Sequence, residues 1–177
     1  MHRVGKLPRR PAWRNRAMTP PRPNPDRVWS APVDDVVGKG MAMLSYITIG
    51  ANDIPRSERF YTAVLVPLGY ERTGQKDAAI YTLPDGPDRF NGPGAVYVVK
   101  PFDAREATVG NGSMNAFRVP THAQLRAVHS AGIAAGGTDE GAPGFRAQYS
   151  KNFFVGYLRD PVGNKLALFC TAEDRPV

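Results

Sequence analysis

The sequence is poor in the residues that form disulfides and metal sites. It has one cysteine, Cys170, and three histidines among 177 residues. A single cysteine excludes an intrachain disulfide, which suits a reducing compartment, and we expect a cytoplasmic protein. His2 lies in the N-terminal segment, and His122 and His129 stand seven residues apart on a predicted helix. We expect the two helical histidines to be solvated or half-buried side chains rather than metal ligands.

Long hydrophobic runs are also absent. No window approaches the ~20 apolar residues that a helix needs to span a bilayer, and the N-terminus shows no apolar segment of a secretory signal. We therefore expect no membrane partner. Hydrophobic residues still make up 42% of the chain, which is enough for a packed core.

Positive charge is concentrated in the first forty residues. They hold nine Lys/Arg, three Asp and seven prolines, whereas the remainder has fourteen Lys/Arg and thirteen Asp/Glu. Proline removes a backbone donor, and the few apolar residues there are isolated, so we predict that residues 1–42 are a disordered basic extension. The extension is either inert, ahead of a true start at Met41 or Met43, or a basic arm that contacts nucleic acid. The nearly neutral remainder does not favour a nucleic-acid partner.

Limited proteolysis checks this boundary. We expect cleavage before Met43 to leave a core whose cooperative melting is unchanged, because a disordered segment contributes no packing. A loss of several kcal/mol on truncation to Met41 would contradict the boundary. Salt-dependent DNA binding that disappears when residues 1–40 are deleted would instead support the basic arm.

From residue 43 onward the same order of elements occurs twice. Alternating apolar residues predict a first strand, and Asp53 can cap a helix that ends near Pro67 and Gly69. Thr121 can cap a second helix that runs to about Ala134. Strands are predicted at 44–49, 70–73, 78–83, 95–100, 113–119, 145–149, 153–159 and 165–170. The order βαβββ therefore repeats after about 70 residues, which points to a pseudo-symmetric α+β domain.

Short motifs in the same order resemble those of a known superfamily. They read MLSYITIG at 43–50, PLGY at 67–70, KPFD at 100–103 leading to GNG at 110–112, AGGTDEGAPG at 135–144 and RDPVGNK at 159–165. Over about residues 43–171 the chain resembles the vicinal-oxygen-chelate superfamily, which comprises glyoxalase, bleomycin-resistance and dioxygenase proteins. The resemblance implies two βαβββ modules that form a cup-shaped, mostly antiparallel eight-stranded sheet. We predict this domain at 43–173, with module one at about 43–102 and module two at about 112–171.

The resemblance also implies where a metal would bind. In metal-binding members a divalent ion in the cup chelates adjacent oxygens of the substrate. His is common where this chain has Tyr46 and again where it has Met114, and Glu is common where it has Ala167. A tyrosine phenol is a poor ligand while protonated, with an ordinary pKa near ~10. Methionine prefers soft ions, and alanine offers no donor, so we predict neither a metal nor another cofactor.

Strand alternation predicts which residues line the cup instead. If Tyr46, Met114 and Ala167 face inward, their neighbours Ile47 and Phe117 face the helices, and these are apolar as packing requires. Tyr46 is the one candidate for acid–base catalysis. The predicted ligand-binding residues are Tyr46, Thr48, Met114, Arg118, Tyr149 and Ala167.

Three functions remain open from the sequence. The first is a protein that binds a small molecule in the cup without a metal, as bleomycin-resistance-type members sequester a drug. The second is a glyoxalase-like lyase or isomerase, or a dioxygenase, that uses a metal or Tyr46. The third is a nucleic-acid contact through the basic extension. A homodimer also stays open, because the cup can form within one chain or between two exchanged chains.

Overall fold

The computed structural model describes residues 44–74, 77–85 and 92–171. All of them belong to the unit Ala42–Val177. The predicted extension 1–42 and residues 172–173 lie outside the described residues, so both domain limits stay predictions. The described elements are β1 (Tyr46–Gly50), α1 (Ile54–Leu65), β2 (Glu71–Thr73), β3 (Ala78–Thr82), β4 (Ala95–Val99), β5 (Met114–Arg118), α2 (His122–Ala134), β6 (Thr138–Phe145), β7 (Phe154–Arg159) and β8 (Lys165–Cys170).

The strands form two four-stranded sheets with the same connectivity. Their orders are β1-β4-β3-β2 and β5-β8-β7-β6. In each sheet the first strand runs parallel to the last, and the other neighbours are antiparallel. The α+β class and the two βαβββ modules are thereby confirmed. No ladder joins the described residues of β1 to those of β5, so the eight strands are arranged as two half-sheets.

Local sequence signals begin and end the helices. The Asp53 carboxylate accepts a hydrogen bond from the Arg56 backbone N–H at 2.9 Å, and Thr121 caps α2 in the same way through the Gln124 N–H. After α1 a single 3₁₀ turn, Val66–Leu68, ends at Gly69, whose φ of 92° lies in the left-handed region that glycine tolerates. Neither of these two described helices is long and apolar enough to cross a membrane.

The two helices pack against each other and each against one face of its own sheet, and their buried residues belong to one continuous core. Phe60, Val64 and Leu65 of α1 are fully buried in it, together with Leu125 of α2. The helices approach closely at Gly132, where a Cβ atom would lie 3.1 Å from Val64 Cγ2. Because both modules share this core, neither has to bury its single helix alone.

A buried carboxylate also links the two modules. Asp160, 4% exposed, lies in the predicted hairpin loop between β7 and β8. Its Oδ1 accepts hydrogen bonds from three successive backbone N–H groups, those of Val162, Gly163 and Asn164. Its Oδ2 accepts from the Tyr61 hydroxyl of α1 at 2.7 Å and from the Asn164 amide. Burial and the facing carboxylate raise the Tyr61 pKa well above its usual value, so this hydroxyl remains a donor.

One predicted strand is wrong. The segment 145–149 forms a turn after its first residue, and the strand lies earlier, at Thr138–Phe145. The glycines and proline of 135–144 indicate a loop by local propensity. Pairing with β7 nevertheless extends this segment, and the register shifts around Gly141, whose φ is 156°, absorb the irregularity.

Candidate functional site

The two faces of β1 and of β5 differ in exposure as alternation predicts. In β1, Ile49 is buried in the core, whereas Tyr46 is 49% exposed on the opposite side. In β5, Phe117 is buried and Met114 is 46% exposed. We call the side of each sheet that lies opposite the helices its open face. The open face of β1 and β5 therefore carries Tyr46 and Met114.

A cavity of about 240 Å³ lies between β1 and β5, and we call it the β1–β5 cavity. Tyr46 of module one and Met114 of module two both line it. Both half-sheets thus contribute to one site within a single chain. Its lining residues are Leu44, Ser45, Tyr46, Ile47, Tyr70, Gly94, Ala95, Val96, Met114, Asn115, Ala116 and Phe117.

Several lining residues were missed by sequence reasoning. Tyr70, Asn115 and Ala95 reach the cavity, although alternation assigns Asn115 to the face opposite Met114. The reason is the gap between the half-sheets: where no strand covers the edges of β1 and β5, residues of both faces border the same space. The sequence offers no signal for an unpaired edge, so this part of the lining could not be predicted.

Tyr46 is held by an aromatic neighbour. Its ring meets that of Tyr97 edge-on, with centroids 5.4 Å apart. The contact arises because Thr48 is the register partner of Tyr97, and Tyr46 lies two residues before Thr48 on the same face of the sheet. Tyr46 and Met114 thus present an aromatic ring and a thioether to one cavity, a combination that suits planar apolar groups.

Thr48, Ala167 and Tyr149 are placed elsewhere. Thr48 borders a second cavity of about 380 Å³, which it shares with Asn115 and Asn164. Ala167 is only 2% exposed and borders neither cavity, since it lies in register between Ala116 and Tyr157. Tyr149 is 66% exposed in the turn after β6, where its ring meets Phe153. Their roles as ligand-binding residues stay predictions.

Arg118 lies at the far end of β5 on the open face. Its guanidinium carbon is 4.7 Å from the centre of the Phe169 ring, and Nη1 donates a hydrogen bond to Thr171 Oγ1 at 2.8 Å. Arg118 is not among the residues that line either cavity, but it follows the cavity residue Ala116 by two positions on the same face.

Further positive charge lies on the open face of module two. Arg159 donates two hydrogen bonds to Glu140, at 2.9 and 2.6 Å, and Lys165 Nζ lies 3.7 Å from the same carboxylate. The Arg159 hydrogen bonds hold the Glu140 pKa below its usual value. Lys165 also lies 5.0 Å from the centre of the Tyr157 ring. One carboxylate is thus shared by two cations.

The donor set does not fit the metal that the superfamily implies. The three positions that resemble ligand positions carry a phenol, a thioether and a methyl group. Ala167 is moreover buried away from the cavity that Tyr46 and Met114 share. Throughout residues 44–74, 77–85 and 92–171, no three His, Cys, Asp or Glu side chains meet at metal-binding distance. The residues at these positions therefore do not form a suitable ligand set for such an ion.

The histidines of α2 are packing residues, and the expected solvent exposure is wrong. His122 and His129 are both buried. His122 stacks on Phe154 with centroids 4.3 Å apart, and His129 Nε2 lies 3.1 Å from the Tyr157 carbonyl. Polar side chains can be buried here because β6 and β7 supply an aromatic surface and a backbone acceptor, which helical periodicity alone does not reveal.

Comparisons with solved structures return several glyoxalase-type proteins. A glyoxalase/bleomycin resistance protein from Albidiferax ferrireducens T118 is 36% identical, with a TM-score of 0.62, over 76% of this chain and 100% of that chain. A glyoxalase-related enzyme from Fulvimarina pelagi is 19% identical, with a TM-score of 0.56, over 73% and 88% of the two chains. A glyoxalase/bleomycin resistance protein/dioxygenase family enzyme from Burkholderia phytofirmans PsJN is 17% identical, with a TM-score of 0.55, over 74% and 100%. The last two support the fold alone.

No protein-family model matches the chain, and no curated protein matches it either. The likeness to the Albidiferax protein shows the family, because it spans that entire chain and 76% of this chain at 36% identity. The chain belongs to the glyoxalase/bleomycin resistance protein/dioxygenase superfamily, the vicinal-oxygen-chelate family that its sequence motifs predict.

Proposed function

We propose that this protein binds a small organic molecule in the β1–β5 cavity and does so without a metal. The observation that carries the proposal is the pairing of Tyr46 with Met114 on one cavity, at positions where the superfamily resemblance implies metal ligands. The space for a ligand is retained while the donor chemistry is replaced by an aromatic ring and a thioether. Concave, mainly apolar sites with a few polar groups are typical of small-molecule binding.

The size of the cavity limits the ligand. Its volume of about 240 Å³ lies slightly below the range of ~300–1,000 Å³ that is common for ligand pockets. A compound of one or two rings therefore suits it better than a large drug. The neighbours in the comparisons include both resistance proteins and enzymes, and the lack of a suitable donor set favours binding over metal-dependent lyase, isomerase or dioxygenase activity.

Native mass spectrometry of protein purified from its host tests the proposal directly. We expect a mass without a stoichiometric divalent ion, with a retained small molecule, and a melting temperature that chelator leaves unchanged. The same protein after dialysis against zinc, nickel, iron or manganese is the control. Near-unit occupancy by one of these metals, with stability that falls on chelation, would instead establish the metal-dependent enzyme. The same spectrum reports whether the protein is a homodimer.

A further inference from the structure

The open face of module two combines aromatic rings with cations on β5 and on the strands beside it, and β5 also lines the β1–β5 cavity. Met114, which lines the cavity, is the register partner of Lys165, and Arg118 follows the cavity residue Ala116 by two positions. At about 3.3 Å per residue and ~4.8 Å between strands, the backbones of both cations lie within ~5–7 Å of a cavity residue. A ligand in the cavity therefore has a positive charge near each end of β5.

The two cations differ in how far they are neutralised. Lys165 lies 3.7 Å from Glu140, which also binds Arg159. For Arg118, no carboxylate of the described residues lies within ion-pair distance, and its guanidinium donates a hydrogen bond to a neutral hydroxyl, that of Thr171. Stacking on Phe169 fixes the plane of the guanidinium and leaves N–H groups available. Arg118 is thus oriented before any ligand arrives, and a preordered fork suits a carboxylate.

We infer that the ligand of this cavity is an organic anion with a planar apolar group, whose acid group binds to Arg118 and whose rings lie between Tyr46 and Met114. The inference rests on the proposed function and adds the chemical class of the ligand. The charge balance supports it, because Arg159 and Lys165 share the carboxylate of Glu140, whereas Arg118 forms no ion pair with a carboxylate of the described residues. A cationic ligand would meet an excess of like charge there.

Naphthalene-2-carboxylate and its neutral isostere naphthalene-2-carboxamide test the charge requirement. Isothermal titration of the full chain should give at least tenfold tighter binding of the carboxylate, with an affinity that falls as salt is raised. In Arg118→Met, affinity for the carboxylate should fall about ten- to hundredfold, the loss expected for a hydrogen-bonded charge. Affinity for the carboxamide should change less than about twofold, since its contacts are to the cavity walls. The carboxylate affinity of Arg118→Lys should lie between those of wild type and Arg118→Met, because lysine keeps the positive charge but cannot bind a carboxylate with two parallel N–H groups.

Arg126→Met is the matched control. The Arg126 guanidinium also stacks on a phenylalanine, Phe154, at 4.5 Å, but it lies on α2 at the helix side of the same sheet. This variant loses the same charge and the same kind of stacking, so carboxylate binding should stay as in wild type. Equal losses in Arg118→Met and Arg126→Met would show a general charge effect and overturn the inference.

Other outcomes separate this inference from the proposed function. If the carboxamide binds as tightly as the carboxylate, or if neither probe binds at millimolar concentration, the ligand class is wrong. Met114→Trp then decides the proposed function. A neutral compound whose binding Met114→Trp abolishes would keep the cavity as the site and reject only the anion. Carboxylate binding that survives in both Met114→Trp and Arg118→Met would reject both proposals.

Discussion

Met114→Trp is expected to abolish ligand binding while leaving the melting temperature almost unchanged. Met114 lines the β1–β5 cavity, and its side chain is 46% exposed, so an indole at this position can enter the cavity without displacing the core. The thioether that accommodates different ligand shapes is replaced by a rigid bicyclic ring. Thermal-shift screening of wild type and variant against one panel of metabolites measures the effect.

Phe117→Trp is the matched comparison for that variant. Phe117 stands three residues further along the same strand and also borders the cavity, but its side chain is buried in the core beneath the helices, with 8% exposed. Enlarging it should lower the free energy of unfolding by ~1–3 kcal/mol through overpacking. A compound that stabilises wild type and Met114→Trp equally would place the binding site outside the β1–β5 cavity.

Asp160→Ala should lower the free energy of unfolding by about 3–5 kcal/mol. The carboxylate accepts hydrogen bonds from three backbone N–H groups, from the Asn164 amide and from the Tyr61 hydroxyl. Removing it leaves these donors without their acceptor in a buried site, and each unsatisfied buried donor costs ~1–3 kcal/mol where water cannot replace the partner. The Tyr61 bond spans 99 positions, so the variant also weakens the contact between modules.

Urea unfolding of three variants isolates this effect. Tyr61→Phe removes one of the donors and should cost about 1–2 kcal/mol. Asp103→Ala removes an exposed carboxylate that accepts a bond from the Arg105 N–H at 3.1 Å, and it should change stability by less than ~0.5 kcal/mol. If the free energies of unfolding of Asp160→Ala and Asp103→Ala differ by less than about 1 kcal/mol, the buried carboxylate does not join the modules as described.

The sequence predicts elements well where short-range chemistry sets them. Asp53 and Thr121 cap helices because their side chains reach N–H groups three residues ahead. The Asp160–Asn164 hairpin forms from contacts within five residues. Alternation separates Ile49 and Phe117 from the open face, because a half-buried strand exposes every second residue. The strand at 138–145 could not be predicted in this way, since it forms through pairing with β7.

By itself the sequence determined the superfamily, the two βαβββ modules and the absence of His and Glu at Tyr46, Met114 and Ala167, because these depend on residue identity and on local periodicity. Only the tertiary structure decided which of those residues meet. The half-sheets leave β1 and β5 unpaired with each other, which brings Tyr46 and Met114 to one cavity and adds Asn115 from the opposite face. Neighbouring strands bury Ala167, and Phe169 orients Arg118. These arrangements arise from contacts between segments far apart in the chain, whose distances no local pattern encodes.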